Sequence, residues 1–278
     1  MASDLIIQGP GATRAFAEVL LPSAGATAVE QVGAAAFRLI GCNASEAIAA
    51  QCANAAVDVA NVPAARRLAD FRLVAMDMDS TLITIECIDE LADLVGKKAE
   101  IAAITAAAMR GELDYPASLR QRVAALAGID LAAVESVYTE RLRLSPGAET
   151  MLERLRSLGI KTLLVSGGFT FFTERLKQRL QLDFAHSNVL EIAGGKLTGG
   201  LLGEMVDGIR KARIVADTAR QLGLASTQII TMGDGANDLP MMAESGVSIA
   251  YRAKPKVQEK ATYAFNHVGL DGLLNLFR

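Results

Sequence analysis

Two aspartates one residue apart, Asp77 and Asp79, stand in VAMDMDST (residues 74 to 81) directly after a run of aliphatic side chains. Carboxylates crowded at the end of an apolar strand repel one another and resist burial, so opposite charge must compensate them. Two further apolar runs end in related clusters: TLLV leads into Ser166-Gly167-Gly168, and QIITM into Gly233-Asp234-Gly235-Ala236-Asn237-Asp238. In an open parallel α/β sheet such strand ends converge on one crevice. Carboxylates from separate strands with no His or Cys among them form a hard, oxygen-only donor set, which suits Mg2+ holding a phosphate better than zinc. An isolated Asp-x-Asp pair more often caps a helix or decorates a loop. The joint occurrence of the three clusters is what points to chemistry.

The elements that must position these residues follow from hydrophobic patterning. RLVAM, TLLVS and QIITM are short apolar runs, each followed by small or acidic residues and then by a helical pattern, as in a parallel α/β sheet. Between the first two runs, CIDELADLVG, IAAITAAAMRG, SLRQRVAALAG and AAVESVYTERLR predict four short helices. An insert placed after the first strand sits over the carboxyl ends of the sheet, where ligands bind. Upstream, DLIIQG, TRAFAEVLL, AVEQVG, AAFRLIG, SEAIAAQCANAA and VDVANV read as βαββαβ, a ferredoxin-like order. The expected organisation is a small α+β domain over 1–62, a linker over 63–71, an α/β core from 72–84 and 146–278, and a helical cap over 85–145. Gly96 and Gly147 are the expected hinge points of that cap.

Composition narrows the function classes. The chain has 278 residues, 51% of them hydrophobic, which provides for a sizeable core. A net charge of −3 offers no basic footprint for nucleic acid or an anionic membrane surface, so a small-molecule substrate is expected. Cys42, Cys52 and Cys87 have no CxxC spacing, which argues against a disulfide framework or a zinc site and fits a reducing compartment. MASDLIIQGPG lacks a cationic start, and the apolar stretches after it are broken by Arg14, Glu18 and Glu30; the expectation is a cytoplasmic protein without a membrane anchor. His186 and His267 stand apart from any cluster.

In order, DMDST, the Ser-Gly-Gly turn, a lone Lys and GDGAND resemble the motif set of the haloacid dehalogenase superfamily of phosphatases, and within it the phosphoserine phosphatases. The resemblance covers residues 72 to 271. It implies a Rossmann-like core and an aspartyl-phosphate mechanism in which Asp77 is the nucleophile and Asp79 the general acid and base. It implies Mg2+ held by Asp77, Asp234 and the main-chain carbonyl of Asp79. Ser166, Gly167, Lys211 and Asn237 would hold the phosphate, with Asp238 behind them. Lys211 competes with Lys196, Arg210 and Arg213, and is chosen because its distance to GDGAND matches the family's spacing.

Substrate choice falls to the cap. Glu86, Met109, Tyr115 and Arg122 resemble positions that, in turn, face the ammonium, cover the site, line it and pair with the carboxylate of phosphoserine. A zwitterion calls for such an anion and cation together. The implied activity is hydrolysis of O-phospho-L-serine to serine and phosphate, the last step of serine biosynthesis. The alternative is another small phosphomonoester such as phosphohomoserine, or phosphate transfer to an acceptor such as homoserine. The βαββαβ order resembles ACT domains, which implies amino-acid sensing and a homodimer through residues 1–62.

Overall fold

A computed structural model describes residues 3–110 and 112–278, with the side chain of Met109 outside the described residues. The chain begins with β1 (Ser3–Gln8), α1 (Arg14–Ala24), β2 (Val29–Gly33), β3 (Ala36–Leu39), α2 (Glu46–Asn54) and β4 (Asp58–Pro63), forming an antiparallel sheet of order β2-β3-β1-β4. Thr13 and Ser45 start the two helices by accepting the N–H of Phe16 and Ile48 on their side chains. The large sheet comprises β5 (Leu73–Met76), β6 (Lys161–Phe169), β7 (Phe184–Ala193), β8 (Lys196–Leu202), β9 (Ile229–Gly233), β10 (Val247–Tyr251) and β11 (Tyr263–Phe265). Its order is β11-β10-β9-β5-β6-β7-β8, parallel except for the β7–β8 hairpin.

Successive side chains of a strand point to opposite faces, and both faces of β5 are covered. Leu73 and Ala75 join Ile214 and Val215 of α9 (Gly208–Gln221) in one buried cluster, while Val74 and Met76 belong to the main core. Each fully buried Val or Met contributes about 1.5–3 kcal/mol. That burial fixes the register on which the site depends. Met76 pairs with Leu164 on one side and with Met232 on the other, so three carboxyl ends lie side by side.

The insert forms α3 (Cys87–Leu94), α4 (Lys98–Met109), α5 (Tyr115–Ala125) and α6 (Leu131–Ser136). After it, α7 (Ala148–Ser157) and α8 (Thr170–Leu180) pack on the sheet. The two chain crossings between insert and core pair with each other. Ile83 bridges Leu144, Thr84 N donates to Arg143 O at 2.9 Å, and Ser145 N to Leu82 O at 2.9 Å. The expected hinge glycines lie elsewhere: Gly96 turns between α3 and α4, inside the cap, and a Cβ on Gly147 would strike Asp271, so this residue is fixed to the core.

The small α+β domain has a core of its own, with Leu5, Ile7, Leu20 and Phe37, and also packs on the large sheet. Ile6, Ala60 and Val62 belong to the main core, and Asp58 accepts the main-chain N–H groups of Asn266, His267 and Val268 at 2.9–3.1 Å. Arg38, 1% exposed, donates to Asp4 and to the carbonyl of Leu276. Residues 63–71, expected to be a linker, bury Leu68 and Phe71 in the same core. Among the described residues no helix is long and apolar enough to cross a membrane.

Candidate active site

Asp77 follows the last residue of β5, its N–H donating to Met232 O of β9 at 3.0 Å. The chain then turns tightly: Asp79 is extended, and Ser80 adopts φ +55°, a left-handed conformation rarely seen for a residue with a side chain and concentrated at functional sites. Ser80 Oγ donates to Glu86 Oε1 at 2.6 Å and Cys87 N to Asp79 Oδ1 at 3.1 Å. These bonds tie the aspartate loop to the start of α3.

Lys211 stands on the buried stripe of α9 with Ile214, Val215, Thr218 and Ala219, and that spacing turns it inward. Its Nζ donates to Asp77 Oδ1 and to Asp238 Oδ1, each at 2.7 Å. Two of the competing cations are engaged elsewhere: Lys196 pairs with Asp130 and Arg210 with Glu204. Burial lowers the Lys211 pKa, but Asp238 and Asp77 outweigh it, so the ammonium stays charged.

A cavity of about 400 Å3 between sheet and cap is lined by Asp77, Asp79, Ser166, Gly167, Asp234 and Asn237 from the core. Glu86, Tyr115 and Arg122 line it from the cap side. Lys211 and Asp238 lie beneath, 1% and 0% exposed. Met109 ends α4, and its side chain lies outside the described residues. Tyr115 Oη donates to Val206 O at 3.5 Å.

The donor set fits a divalent cation. Asp77, Asp234 and Asp238 bring one carboxylate oxygen each to within 4.8 Å of the others. Asp238 is spent on structure, accepting Lys211 on Oδ1 and the N–H groups of Asp234 and Gly235 on Oδ2. That leaves Asp77 and Asp234, each with one oxygen bonded at Oδ1 and with Oδ2 receiving no donor among the described residues. Asp234 is pushed up to about 6, by burial first and then by the charge of Asp238. Burial and Asp238 likewise push Asp77 well above the usual carboxylate range, against Lys211. Buried oxygen ligands in excess of buried cations are what a hard dication such as Mg2+ would neutralise. Asp79 directs its carboxylate to the Cys87 N–H instead, and burial, then Glu86, raises it to about 7. A carboxyl near neutrality is suited to moving protons in both directions.

Ser166 Oγ accepts the Gly168 N–H at 2.8 Å, which leaves its own proton to donate into the cavity. A Cβ at Gly168 would press on Met78 Cε, Asp79 Oδ2 and Ser166 Oγ, so a side chain there would displace groups that build the site. Arg122 carries a buried Nε–H that donates to no partner among the described residues. A buried, unpaired guanidinium N–H is costly and marks a place for an anion.

The family model of haloacid dehalogenase-like hydrolases matches residues 74–243. A curated phosphoserine phosphatase of Polaromonas sp. is 55% identical over 217 residues, 76% of this chain and 92% of that one. The chain belongs to the phosphoserine phosphatases of the haloacid dehalogenase family. The likeness extends to the small sheet of this family member. A probable phosphoserine phosphatase from Vibrio cholerae, solved unliganded, superposes with a TM-score of 0.88 at 37% identity, covering 99% of this chain and 86% of that one. A phosphoserine phosphatase solved as a phospho-aspartyl intermediate analogue superposes with a TM-score of 0.70 at 36% identity, covering 75% of this chain and 99% of its own.

Three residues that build this site escaped the sequence reading. Thr81 Oγ1 donates to Asp234 Oδ1 at 2.9 Å and orients it; its place inside DMDST was the available signal. Ser80 holds Glu86, as described above. Asn188, in β7, bonds the Ser-Gly-Gly turn, and its only mark is a polar residue in a strand-like run.

Proposed function

We propose that the chain hydrolyses O-phospho-L-serine to serine and inorganic phosphate through an aspartyl-phosphate on Asp77, which places it at the last step of serine biosynthesis. The observation that carries the reading is the pairing, in one cavity, of a phosphate-sized floor with an amino-acid-sized roof. The floor is Asp77 over Lys211 with Ser166 and Gly167; the roof carries a carboxylate, Glu86, and Arg122, whose buried Nε–H has no partner among the described residues. Phosphate, ammonium and carboxylate each find a group of opposite charge. The relative solved as a phospho-aspartyl analogue supports the covalent route.

Mg2+, held by the carboxylates of Asp77 and Asp234 and the main-chain carbonyl of Asp79, would supply charge neutralisation that lets an anionic nucleophile approach an anionic ester. Lys211 engages Asp77 Oδ1, leaving Oδ2 to attack phosphorus. As the bond from phosphorus to the serine oxygen breaks, protonated Asp79 gives its proton to the departing alkoxide. The resulting Asp79 carboxylate then takes a proton from water, whose oxygen attacks the aspartyl-phosphate, releasing phosphate and restoring Asp77. Ser166 Oγ, Gly167 N–H and Lys211 hold the phosphoryl oxygens, and Asn237 lies beside them. Within the same proposal, residues 1–62 sense an amino acid and pair two copies of the chain, which the effect of serine on turnover and the oligomer size in solution test.

Mixing radiolabelled phosphoserine with enzyme and quenching in acid is expected to leave label on the wild-type chain, labile to hydroxylamine, and none on Asp77→Asn. Wild-type phosphate release by Asp77→Asn overturns the proposal.

A further inference from the structure

The turn that would grip phosphate is a break in the β6–β7 ladder. Val165 pairs with His186 and Phe169 with Asn188, so Ser166, Gly167 and Gly168 oppose Ser187 alone. The surplus residues bulge toward the cavity, which aims main-chain groups at a ligand but strips them of ladder partners. Two side chains replace those partners. Ser166 Oγ takes the Gly168 N–H, and Asn188 Nδ2 donates to Gly167 O at 2.7 Å.

Asn188 is 2% exposed, and its other atom is also committed: Oδ1 accepts the Val206 N–H at 2.8 Å. Val206 immediately precedes Asp207, whose side chain accepts the Arg210 N–H and starts α9, with Lys211 in the first turn of that helix. One carboxamide therefore joins the peptide of Gly167 to the segment that launches Lys211. A carbonyl on one side and an N–H on the other admit only one orientation of the amide.

We infer that Asn188 is a positioning residue for phosphate: its carboxamide fixes the bulged Ser166–Gly168 turn against the start of α9, holding the Gly167 N–H and Lys211 in a common geometry. The inference rests on the phosphatase reading for what the turn binds. Asn188 is not among the residues that line the cavity, and it acts through Gly167 and Val206. Aspartate at this position has the same shape, yet when ionised it offers no donor to Gly167 O and repels both that oxygen and the bound anion. Protonated, it donates to Gly167 O and accepts from Val206 N again.

The test compares wild type with Asn188→Asp and Asn188→Ala. Thermal melting reports the fold, calorimetric binding of inorganic phosphate with Mg2+ present reports the turn without turnover, and kcat and KM for phosphoserine are followed against pH. Both variants are expected to fold and to bind phosphate at least about 10-fold more weakly, the loss of one or two hydrogen bonds to a charged site. The deficit of Asn188→Asp is expected to shrink as pH falls from about 8 to about 5, because a carboxyl buried as deeply as Asn188 is raised toward that range by desolvation, while that of Asn188→Ala stays constant. Wild-type phosphate affinity in either folded variant overturns the inference, as does an Asn188→Asp deficit that ignores pH. Loss of the fold in both variants overturns it too, making Asn188 a folding residue. A wild-type chain that neither binds phosphate nor turns over phosphoserine sinks the phosphatase reading instead, before any variant is compared.

Discussion

Lys211 Nζ lies 2.7 Å from Asp238 Oδ1, with the two side chains 1% and 0% exposed. Because Asp238 also receives the Asp234 and Gly235 N–H groups, the pair ties the β9 turn to α9 directly beneath Asp77. Removing one partner of such a pair strands a buried charge. Lys211→Met is expected to cost about 3–5 kcal/mol in urea unfolding and to lower kcat by about 10²–10³, the usual effect of losing one donor to a developing anion. Unchanged kcat in a folded variant removes Lys211 from the phosphate site.

Arg122 predicts a split between substrates. Its buried Nε has no partner among the described residues, so the guanidinium is available to a carboxylate. Arg122→Ala is expected to raise KM for phosphoserine by roughly 10–100-fold, the value of a charged hydrogen bond of about 1.5–3 kcal/mol. A phosphomonoester without a carboxylate should show little change. Equal effects on the two substrates place Arg122 outside the recognition of the amino acid.

Asp4 gives a pH dependence of stability. Burial raises its carboxyl, but the Gly41 N–H, Arg38 and Arg278 together outweigh that and hold it below its ordinary 3.8. The folded chain therefore binds fewer protons than the unfolded chain just below that value. Stability from this group is complete above the unfolded pKa and lost as pH falls through the folded one. The urea midpoint of wild type is expected to fall below about pH 4 more steeply than that of Asp4→Asn, whose stability is lower at neutral pH. Parallel curves for the two proteins contradict the prediction.

Deleting residues 1–62 is expected to weaken the core rather than release an independent enzyme. The cut removes Ile6, Ala60 and Val62 from the main core and frees the three N–H groups that Asp58 receives. Each 1 kcal/mol lost lowers Tm by roughly 2–4 °C in a chain of this size. Melting of the truncated chain at the wild-type temperature argues against an integral small sheet.

Local patterning carried much of the fold. The βαββαβ segment, β5, β6, β9 and the helices of the insert each announce themselves through apolar periodicity and flanking Gly, Asn or Ser. The site was legible for the same reason: DMDST, Ser166-Gly167-Gly168 and GDGAND are contiguous motifs at strand ends, and those ends adjoin one cavity. Other elements had weaker local marks. The β7–β8 hairpin turns at Gly194-Gly195, a signal passed over in favour of the parallel rhythm, and β11 is three residues long. Leu68 and Phe71 were hidden inside a charged stretch that reads as a spacer. The grip of Asp58 on Asn266 to Val268 spans more than two hundred residues and has no local signature.

The paired crossings at Leu82–Thr84 and Arg143–Ser145 leave the helical insert with its two ends adjacent. A cassette whose ends meet this way can be lengthened or resculpted without parting the paired strands β5 and β9 that precede Asp77 and Asp234. Under the proposed function, substrate preference and phosphoryl chemistry then fall on largely different stretches of the chain, joined where Ser80 meets Glu86.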